Sequence, residues 1–462
     1  MASRLHVIFF TVSLLLLPNI LSLQQNEAKV LIVSFDGFRW DYISRVPTPS
    51  FQDVIENGVY VKQLTNIFLS KTYPNHYTLV TGLFSETHGL VANEMYDPVL
   101  NKTFSMNKMD IYDSAFWEEA TPIWLTNQNE GHKSGAAMWP GTDVKIHGAK
   151  PFLYMPYNES VSFEYRVGKL IEWFTSKQPI NFGLLYWEQP DEAGHILGPN
   201  NPLMNEVITD VDRKLGYLVT ELKKANLWDT INVIITSDHG MTECALNKTI
   251  ELDKYVDRDL YTMVDHSPVI AIAPKEGKLE EVYKALANVH PNMTVYRKED
   301  FPERFHYKHN NRIQPILAVA DLGWTILQNK SDIFLAGNHG YDHTEPDMRS
   351  IFLAHGPAFK TNLKKDSMNS TDVYPLLCHL LDIQALPSNG SLNNVKDMLA
   401  SADPVQPAKY EKPESYSYFI GVFLGSVIVV VFLVMLFTHL MRSQIPTVQR
   451  RDIEIAQPLL QS

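Results

Sequence analysis

Five stretches of the chain are apolar at almost every position, and the first three end at a polar or acidic edge. In chain order they cover 29–35, 181–187, 231–237, 269–273 and 351–354. Asp36, Glu188 and Asp238 directly follow the first three. Continuous rather than alternating apolar residues are typical of strands that are buried on both faces. The pattern therefore predicts a sheet covered by helices on both sides.

Helical periodicity, with apolar residues recurring every three to four positions, occupies segments between these strands. The segments cover 163–176, 206–225 and 277–290. Alternating strands and amphipathic helices predict an α/β fold with a mainly parallel central sheet flanked by helices. Ligands bind at the carboxyl ends of the strands in such sheets. Asp36, Asp191 and the pair Asp238 and His239 all fall at that edge.

The two ends of the chain have the patterns of targeting and anchoring segments. Residues 1–24 combine a basic start, a short apolar run and small polar residues, which is the layout of a cleaved signal peptide. Residues 418–440 include an uncharged run close to the roughly 20 residues that cross a bilayer as a helix. Basic residues follow that run, which predicts a cytoplasmic tail. A buried N-terminal strand and a buried core helix are the alternative interpretations.

These end segments predict a type I single-pass protein of the plasma membrane, whose extracellular part is either retained or released by shedding. The predicted divisions are a signal peptide at 1–24, an extracellular catalytic domain at 25–400, a stalk at 401–417, a transmembrane helix at 418–440 and a cytoplasmic tail at 441–462. The membrane would then be one partner of the chain, through its C-terminal helix. The sequence does not predict an oligomeric state.

The composition limits the kinds of partner that the chain could bind and the compartment in which it could work. The chain has 40 basic and 52 acidic residues, a net charge of −12 and no basic stripe, which argues against nucleic-acid polymers as partners. Only two cysteines are present, Cys244 and Cys378, and the sequence leaves open whether they pair. Seven glycosylation sequons predict an extracellular glycoprotein. They are Asn101, Asn158, Asn247, Asn292, Asn329, Asn369 and Asn389.

Polar residues that suit metal binding occur in separate segments, several of them close after a predicted strand. A two-metal hydrolase needs ligands that hold two cations about 4 Å apart around a phosphoryl group. The candidates are Asp36, Thr72, Asp191, His195, Asp238, His239 and His339. Each alone has an ordinary interpretation, such as a turn after a strand, so the prediction rests on the whole set.

Four motifs carry a resemblance to a known family. They are Val-Ser-Phe-Asp-Gly-Phe-Arg, Lys-Thr-Tyr-Pro-Asn-His-Tyr, Ala-Ala-Met-Trp-Pro-Gly-Thr and Ile-Thr-Ser-Asp-His-Gly-Met. With them the chain resembles the ectonucleotide pyrophosphatase/phosphodiesterase family of the alkaline phosphatase superfamily. The resemblance implies an alkaline-phosphatase-like fold and two zinc ions per chain. It assigns one ion to Asp36, Thr72, Asp238 and His239, and the other to Asp191, His195 and His339.

The resemblance also makes Thr72 the catalytic nucleophile, and its chemistry supports that role. A threonine hydroxyl is a poor nucleophile until a neighbouring metal ion lowers its pKa. Pro74 suits the first turn of a helix that runs to about Val80, which puts Thr72 near the helix N-terminus, where the dipole favours an anion. A role for Thr72 as the N-cap residue is compatible with this geometry. The Cys-x-Pro-Ser-Arg-like motif of a sulfatase is absent.

Three further residues match substrate-binding positions of the family. Asn93 matches the position whose amide donates to a phosphate oxygen and stabilises the charge that develops there in the transition state. Tyr73 and Tyr154 match aromatic residues that hold the base between them. Ordinary packing is the alternative for both tyrosines.

The residue after Asn93 departs from the relatives that hydrolyse nucleoside triphosphates. Those relatives carry lysine where this chain has Glu94, although Lys71 is retained. A carboxylate there would repel the outer phosphates of ATP, whereas NAD carries fewer negative charges beyond the scissile bond. The prediction is a phosphodiesterase for small nucleotide substrates that favours dinucleotides such as NAD over ATP. It would release a nucleoside monophosphate through a phosphothreonine intermediate.

Two other functions stay open from the sequence. A lysophospholipid or choline-phosphodiester hydrolase would need an apolar channel, or an aromatic cage for a quaternary ammonium group. A non-enzymatic adhesion or signalling protein of the cell surface would be indicated by a lost metal ligand. All seven predicted ligand positions are present, which favours an enzyme.

Overall fold

The computed structural model describes residues 28–106, 108–329, 332, 334–400, 430, 433–437 and 439. The residues described up to 400 belong to one compact unit, and those described after 402 belong to a second. The predicted signal peptide at 1–24, stalk at 401–417 and tail at 441–462 lie outside the described residues. The predicted catalytic domain at 25–400 is therefore the part whose fold can be followed.

Strands and α-helices are interspersed along this domain, with two runs of consecutive strands in its second half. The strands are β1 (Lys29–Phe35), β2 (Val59–Thr65), β3 (Glu94–Asp97), β4 (Lys102–Ser105), β5 (Ser134–Ala137), β6 (Leu153–Met155), β7 (Phe182–Trp187), β8 (Ile231–Thr236), β9 (Thr242–Glu243), β10 (Thr249–Glu251), β11 (Tyr261–Met263), β12 (Val269–Pro274), β13 (Met293–Arg297), β14 (Ile316–Ala320), β15 (Thr325–Leu327), β16 (Gly337–Asn338), β17 (Ser350–His355) and β18 (Leu363–Asn369). The α-helices are α1 (Pro49–Glu56), α2 (Thr72–Thr81), α3 (Ser85–His88), α4 (Ile123–Asn129), α5 (Phe163–Thr175), α6 (Asp191–Leu197), α7 (Met204–Lys224), α8 (Leu279–Leu286) and α9 (Val373–Leu381). The three predicted helices correspond to α5, α7 and α8.

The central sheet has the strand order β6-β5-β7-β1-β8-β17-β2-β18. Every neighbouring pair is parallel except the two pairs that contain β17. The other strands therefore share one direction, and the predicted α/β fold with a mainly parallel sheet is confirmed. The apolar run at 351–354 is a strand as predicted, but it enters the sheet antiparallel and makes the sheet mixed.

Helices cover both faces of this sheet, which explains why its central strands β1, β7 and β8 are mostly apolar and buried on both faces. Along β1, Val30 and Ile32 face a core that includes side chains of α2, α4 and α9. Leu31 and Val33 face the opposite core, which includes side chains of α1, α5 and α7. All four side chains have 0% of their surface exposed. Full burial of such a side chain contributes about 1.5–3 kcal/mol, so both faces of the strand stabilise the sheet.

A second, antiparallel sheet lies in the chain between β8 and β17. Its order is β11-β12-β14-β13, and α8 contributes side chains to the same core. The apolar run at 269–273 is β12, so the strand is confirmed, but it belongs to this sheet and not to the central one. The loop between β11 and β12 reaches Lys71, whose Nζ lies 2.7 Å from Oδ2 of Asp265.

The predicted transmembrane helix is wrong as far as the structure describes the chain. A spanning helix needs about 20 residues, and no helix among the described residues is long and apolar enough. Of the span 418–440, only 430, 433–437 and 439 are described. The predicted type I plasma-membrane location and the predicted membrane partner depended on this helix and are corrected with it. An uncharged run shows that a segment is apolar, but it does not establish a helix of spanning length.

Both cysteines are free and buried, which answers the question that the sequence left open. Cys244 follows β9 and Cys378 lies in α9. Burial raises the pKa of the Cys244 thiol and raises that of Cys378 to about 12. Both side chains therefore stay protonated at neutral pH and act as small apolar residues.

The seven sequon asparagines are all at least partly accessible. Five are exposed, Asn101, Asn158, Asn247, Asn369 and Asn389, and two are half-buried, Asn292 and Asn329. Accessibility is required for glycosylation but does not demonstrate it. Glycosylation stays a prediction at each position.

Candidate active site

The carboxyl edge of the central sheet carries the predicted metal ligands. The strands β7, β1 and β8 are neighbours in the sheet. Asp36 directly follows β1, Asp238 follows shortly after β8, and Asp191 opens α6 just after β7. Because the three strands are parallel, their carboxyl ends meet, and the three carboxylates converge although they are far apart in the sequence.

Asp36, Asp238 and His239 form the first acid–histidine group, with ligand atoms within 4.8 Å of one another. Nε2 of His239 lies 3.4 Å from Oδ1 of Asp36 and 3.0 Å from Oδ2 of Asp238. Thr72 is the first residue of α2, and its Oγ1 lies 3.3 Å from the same nitrogen. The structure thus brings together all four residues that were predicted to bind the first zinc ion.

Asp191, His239 and His339 form the second acid–histidine group, whose ligand atoms also lie within 4.8 Å of one another. Nε2 of His339 lies 3.5 Å from Oδ1 of Asp191 and 3.1 Å from Nε2 of His195. Nε2 of His195 lies 3.4 Å from Oδ2 of Asp191. The predicted second set is therefore also together. The rings of His239 and His339 stack with centroids 3.5 Å apart, so the two groups adjoin.

A backbone carbonyl orients each of the three histidines. Their Nδ1 atoms pair with carbonyl oxygens of Gly337 at 2.9 Å for His195, Gly240 at 2.9 Å for His239 and Ser70 at 2.7 Å for His339. A carbonyl oxygen only accepts, so Nδ1 carries the proton and, in the neutral ring, Nε2 presents its lone pair to the site. This is how metal-binding histidines are held in proteins.

One oxygen of each carboxylate has no hydrogen-bond partner among the described residues. These atoms are Oδ1 of Asp36, Oδ1 of Asp191 and Oδ2 of Asp238. The other oxygens of Asp36 and Asp238 accept from the Tyr186 hydroxyl at 2.6 Å and the Gly37 N–H at 3.1 Å. Buried oxygens need a partner, and cations at the two groups would supply it. The residues fit two metal ions, and carboxylate with imidazole is a donor set that suits zinc.

The three carboxylates differ in how readily they ionise. Burial, together with the charges of Asp238 and Asp191, raises the pKa of Asp36. Burial also opposes ionisation of Asp191 and Asp238, but neighbouring histidines outweigh it and lower both pKa values. Three buried carboxylates at one point repel one another, and bound cations would relieve that repulsion.

Thr72 lies where the N-terminus of α2 faces the site. The partial positive charge of a helix N-terminus favours an anion there. Lys71 is the N-cap residue of α2, so Thr72 does not have the N-cap role considered as its alternative. The N–H of Tyr73 donates to Oδ1 of Asn93 at 3.0 Å. That bond uses the carbonyl oxygen of the Asn93 amide and leaves its N–H groups to donate to a ligand.

One side of the site is aromatic. The ring of Tyr73 packs edge-on against the buried rings of Phe104 and Trp117, with centroids 5.5 and 5.9 Å away. The ring of Tyr157 lies 6.4 Å from that of Tyr186, the residue whose hydroxyl holds Asp36. Stacking surfaces of this kind suit a flat base. This side is called the aromatic flank, and it comprises Tyr73, Tyr112, Asp143 and Tyr157.

Asp143 links two tyrosines of the aromatic flank. Its Oδ2 accepts from the N–H of Tyr157 at 3.3 Å, and burial together with the Asp143 charge raises the pKa of the Tyr112 hydroxyl. Burial raises the pKa of the Asp143 carboxyl, against the hydrogen bond from Tyr157. The carboxylate is therefore a hydrogen-bond acceptor that holds the loop of Tyr157 beside the site.

Tyr154 was predicted to hold the base. In the structure its ring contacts Lys150, whereas the ring of Tyr157 contacts Tyr186. Lys150 Nζ donates to the Tyr154 hydroxyl at 3.1 Å and lies 4.6 Å from the Tyr154 ring centroid. Tyr154 and Tyr157 line one cavity of about 500 Å³. Sequence reasoning missed Tyr157, whose ring contacts Tyr186 next to Asp36. The signal that could have found it is its position close after Tyr154, just past the end of β6.

The opposite side of the site is charged. Lys71 Nζ lies 2.7 Å from Oδ2 of Asp265 and donates to the carbonyl oxygen of His266 at 3.2 Å. Nε2 of His266 lies 3.4 Å from Oε2 of Glu94. Ser105 Oγ donates to the other oxygen of Glu94 at 3.4 Å. This side is called the charged flank, and it comprises Lys71, Glu94, Asp265 and His266.

An α/β sheet whose carboxyl edge gathers carboxylates, imidazoles and a threonine hydroxyl in this way is typical of metal-dependent hydrolases of phosphate esters. The family model described as type I phosphodiesterase/nucleotide pyrophosphatase matches residues 30–342. The chain belongs to this family, as its motifs indicated, and it is a hydrolase that acts on phosphodiester bonds. The family assignment agrees with a metal-dependent site and with a small nucleotide substrate.

Relatives and solved structures agree with this assignment. The chain is 63% identical to human ectonucleotide pyrophosphatase/phosphodiesterase family member 5 over 477 residues, covering 100% of both chains. It is 48% identical to bis(5'-adenosyl)-triphosphatase of Xenopus laevis over 406 residues, covering 87% of both. A solved structure of murine ectonucleotide pyrophosphatase/phosphodiesterase 5, inactive with the substitution T72A and in complex with AMP, is 67% identical. It has a TM-score of 0.81 and covers 81% of this chain and 100% of that one.

Proposed function

We propose that the chain is a two-zinc phosphodiesterase that cleaves nucleotide diesters and diphosphates with Thr72 as nucleophile. The observation that carries the proposal is the position of Thr72 Oγ1, 3.3 Å from His239 Nε2 and at the N-terminus of α2. Three carboxylate oxygens of the two acid–histidine groups also lack a hydrogen-bond partner among the described residues. The murine relative described as inactive with the substitution T72A, and in complex with AMP, supports the same role.

The two ions would lie at the two acid–histidine groups, with Thr72 added to the first group, His195 added to the second, and the shared His239 assigned to the first. One zinc ion would be held by Asp36, Thr72, Asp238 and His239, and the other by Asp191, His195 and His339. Bound zinc supplies Lewis acidity, which lowers the pKa of a coordinated hydroxyl and neutralises charge that develops on a phosphoryl oxygen. Because backbone carbonyls already hold Nδ1 of the three imidazoles, their Nε2 atoms would be free to bind the ions with little rearrangement.

The reaction proceeds in two displacements at phosphorus. Thr72 Oγ forms a bond to phosphorus after its proton is lost to solvent, and the bond to the leaving oxygen breaks. The leaving group departs with that electron pair and takes up a proton from water. A water molecule then attacks the phosphothreonine, which releases the nucleoside monophosphate and restores the hydroxyl. Asn93 donates its amide N–H to a phosphoryl oxygen and stabilises the charge that grows there.

Dinucleotides such as NAD are the proposed substrates, ahead of ATP. Glu94 lies next to Asn93 and its carboxylate belongs to the charged flank, which a long polyphosphate would meet. The Xenopus relative named as a bis(5'-adenosyl)-triphosphatase supports a dinucleotide as the kind of substrate. The aromatic flank provides the surface on which the base of the retained nucleotide would stack.

Metal analysis and product analysis on one preparation test this proposal. The purified protein should contain two zinc ions per chain, and NAD should give AMP and nicotinamide mononucleotide in equal amounts. Turnover of ATP under the same conditions should be slower. One metal ion per chain, or magnesium alone, would contradict the two-zinc site. Failure to form AMP from NAD by zinc-loaded protein would contradict the substrate.

A further inference from the structure

His266 is the most exposed group of the charged flank. Its side chain is 63% exposed, and that of its partner Glu94 is 25% exposed. Lys71 and Asp265 instead form a buried pair, with 8% and 2% of their side chains exposed. A leaving group that extends along this flank would therefore meet His266 and Glu94 before the buried pair.

We propose that His266 makes the site discriminate leaving groups by their negative charge, to an extent that depends on pH. The proposal rests on the proposed function and adds a specificity-determining residue to it. His266 comes from the loop between β11 and β12, whereas Glu94 begins β3 and Lys71 precedes α2. The contact between His266 and Glu94 thus joins the antiparallel sheet to the segment that carries Asn93.

The charges of the flank nearly cancel when His266 is protonated. Glu94, Lys71 and Asp265 are the charged groups that face it. With Lys71 and His266 positive and Glu94 and Asp265 negative, the formal charge of the flank is zero. Loss of the proton from His266 leaves one net negative charge on the flank, because the carboxylate of Glu94 then loses its positive partner.

The hydrogen bond to Glu94, opposed by burial, raises the pKa of His266 above its ordinary value. The same hydrogen bond, opposed by burial, lowers the pKa of Glu94. His266 is therefore positive below its raised pKa and becomes neutral as the pH rises through it. Above that point the flank repels an anionic leaving group but not an uncharged one. Selectivity against anionic leaving groups should increase with pH.

Two substrates with the same adenylyl group and different leaving groups isolate this effect. In the 4-nitrophenyl ester of AMP the group to be displaced carries no charge while it is bound to phosphorus, whereas in diadenosine tetraphosphate it is a polyphosphate that is anionic in the substrate. Neither has a terminal phosphate, so neither changes its charge near the phosphate pKa of about 6. The ratio of kcat/KM for the tetraphosphate to that for the nitrophenyl ester cancels the pH dependence of the shared reaction centre.

We expect this ratio to fall about fivefold between pH 6 and pH 9 in the unmodified protein, the effect of one unit charge near 4 Å in a water-like dielectric. His266→Gln should give a low ratio at every pH, and His266→Lys a high ratio at every pH. His309→Gln is the matched control, since His309 is 66% exposed and lies 4.0 Å from Glu303. It should keep the profile of the unmodified protein.

A constant ratio in active unmodified protein would overturn the role of His266, as would a fall of the same size in His266→Gln. Failure of zinc-loaded protein to cleave even the nitrophenyl ester would refute the proposed function instead, so the two failures are distinguishable. Thermal melting of each variant checks the fold. His266→Lys, which retains a positive charge throughout, separates loss of charge from loss of structure.

Discussion

The aromatic flank and the charged flank border the same reaction centre but differ in chemistry and origin. Tyrosine rings dominate the aromatic flank, and its members come from α2 and from loops that precede β7. Two ion pairs make the charged flank, and half of its members come from the loop between β11 and β12. One flank offers stacking surface and the other offers charge. Recognition of the retained nucleotide and selection of the leaving group can therefore change independently of each other.

Removing the nucleophile Thr72, which both flanks border, should have the largest effect on activity. Thr72→Ala should lower kcat/KM by at least about 10³-fold for every substrate, because losing a catalytic nucleophile costs a hydrolase that much or more. Thr72→Ser keeps an oxygen in place and should retain part of the activity. Steady-state assays with NAD and with the nitrophenyl ester of AMP measure the loss.

The two substrates should lose activity to the same extent in Thr72→Ala, since the substitution leaves both flanks intact. Folding is checked by thermal melting and zinc content. Activity within tenfold of the unmodified protein, at normal stability, would show that another group is the nucleophile.

A substitution in the aromatic flank should have a smaller effect that is shared by all adenine substrates. Tyr157→Ala should raise KM about tenfold, since loss of one base–aromatic stack costs about 1–3 kcal/mol. Tyr154→Ala, in the preceding strand β6, is the matched control. It should raise KM less, because the Tyr154 ring contacts Lys150, whereas the Tyr157 ring contacts Tyr186 beside Asp36. Steady-state kinetics with NAD and with the nitrophenyl ester measure KM for each variant. An equal or larger rise of KM in Tyr154→Ala would show that Tyr154 is the residue that stacks on the base.

A charge reversal in the charged flank should have the smallest effect, and a selective one. Glu94→Lys should raise the ratio of ATP to NAD turnover about fivefold, because it removes a negative charge and adds a positive one near Lys71, and solvent and salt screen part of that change. KM for the nitrophenyl ester should stay within twofold. The ratio of kcat/KM for ATP to that for NAD is the measurement. An unchanged ratio would show that Glu94 does not select the leaving group.

The central sheet and the ligand set could be predicted because both leave local marks in the sequence. Continuous apolar runs identified β1, β7 and β8, and the carboxyl-edge rule then placed Asp36, Asp191 and Asp238 together. Thr72 and the three histidines were also ligand candidates in the sequence, and the family resemblance assigned them to the two ions. Their convergence depends on contacts between distant segments. The helix that begins at Thr72 followed from Pro74 and ends within one residue of its predicted end.

Features that depend on pairing between distant segments could not be predicted. Nothing in the run at 269–273 marks it as part of a separate antiparallel sheet, because the pattern records burial and not the partner strand. His266 approaches Glu94 only through that sheet. The transmembrane prediction failed in another way, since an apolar composition does not establish a spanning helix. The position of Tyr157 likewise depends on its contact with Tyr186.

The convergence of ligands from distant segments has a consequence for the integrity of the chain. Neither cysteine forms a disulfide, so no covalent cross-link closes the long loops between Asp36 and His339. A cation shared by Asp36 and Asp238, or by Asp191 and His339, would close such loops as a disulfide does. Long loops gain most from closure, because their ends are otherwise the least constrained. Ions held at this edge would therefore act as removable cross-links. Chelation should lower the melting temperature of the whole domain and speed its digestion by proteases.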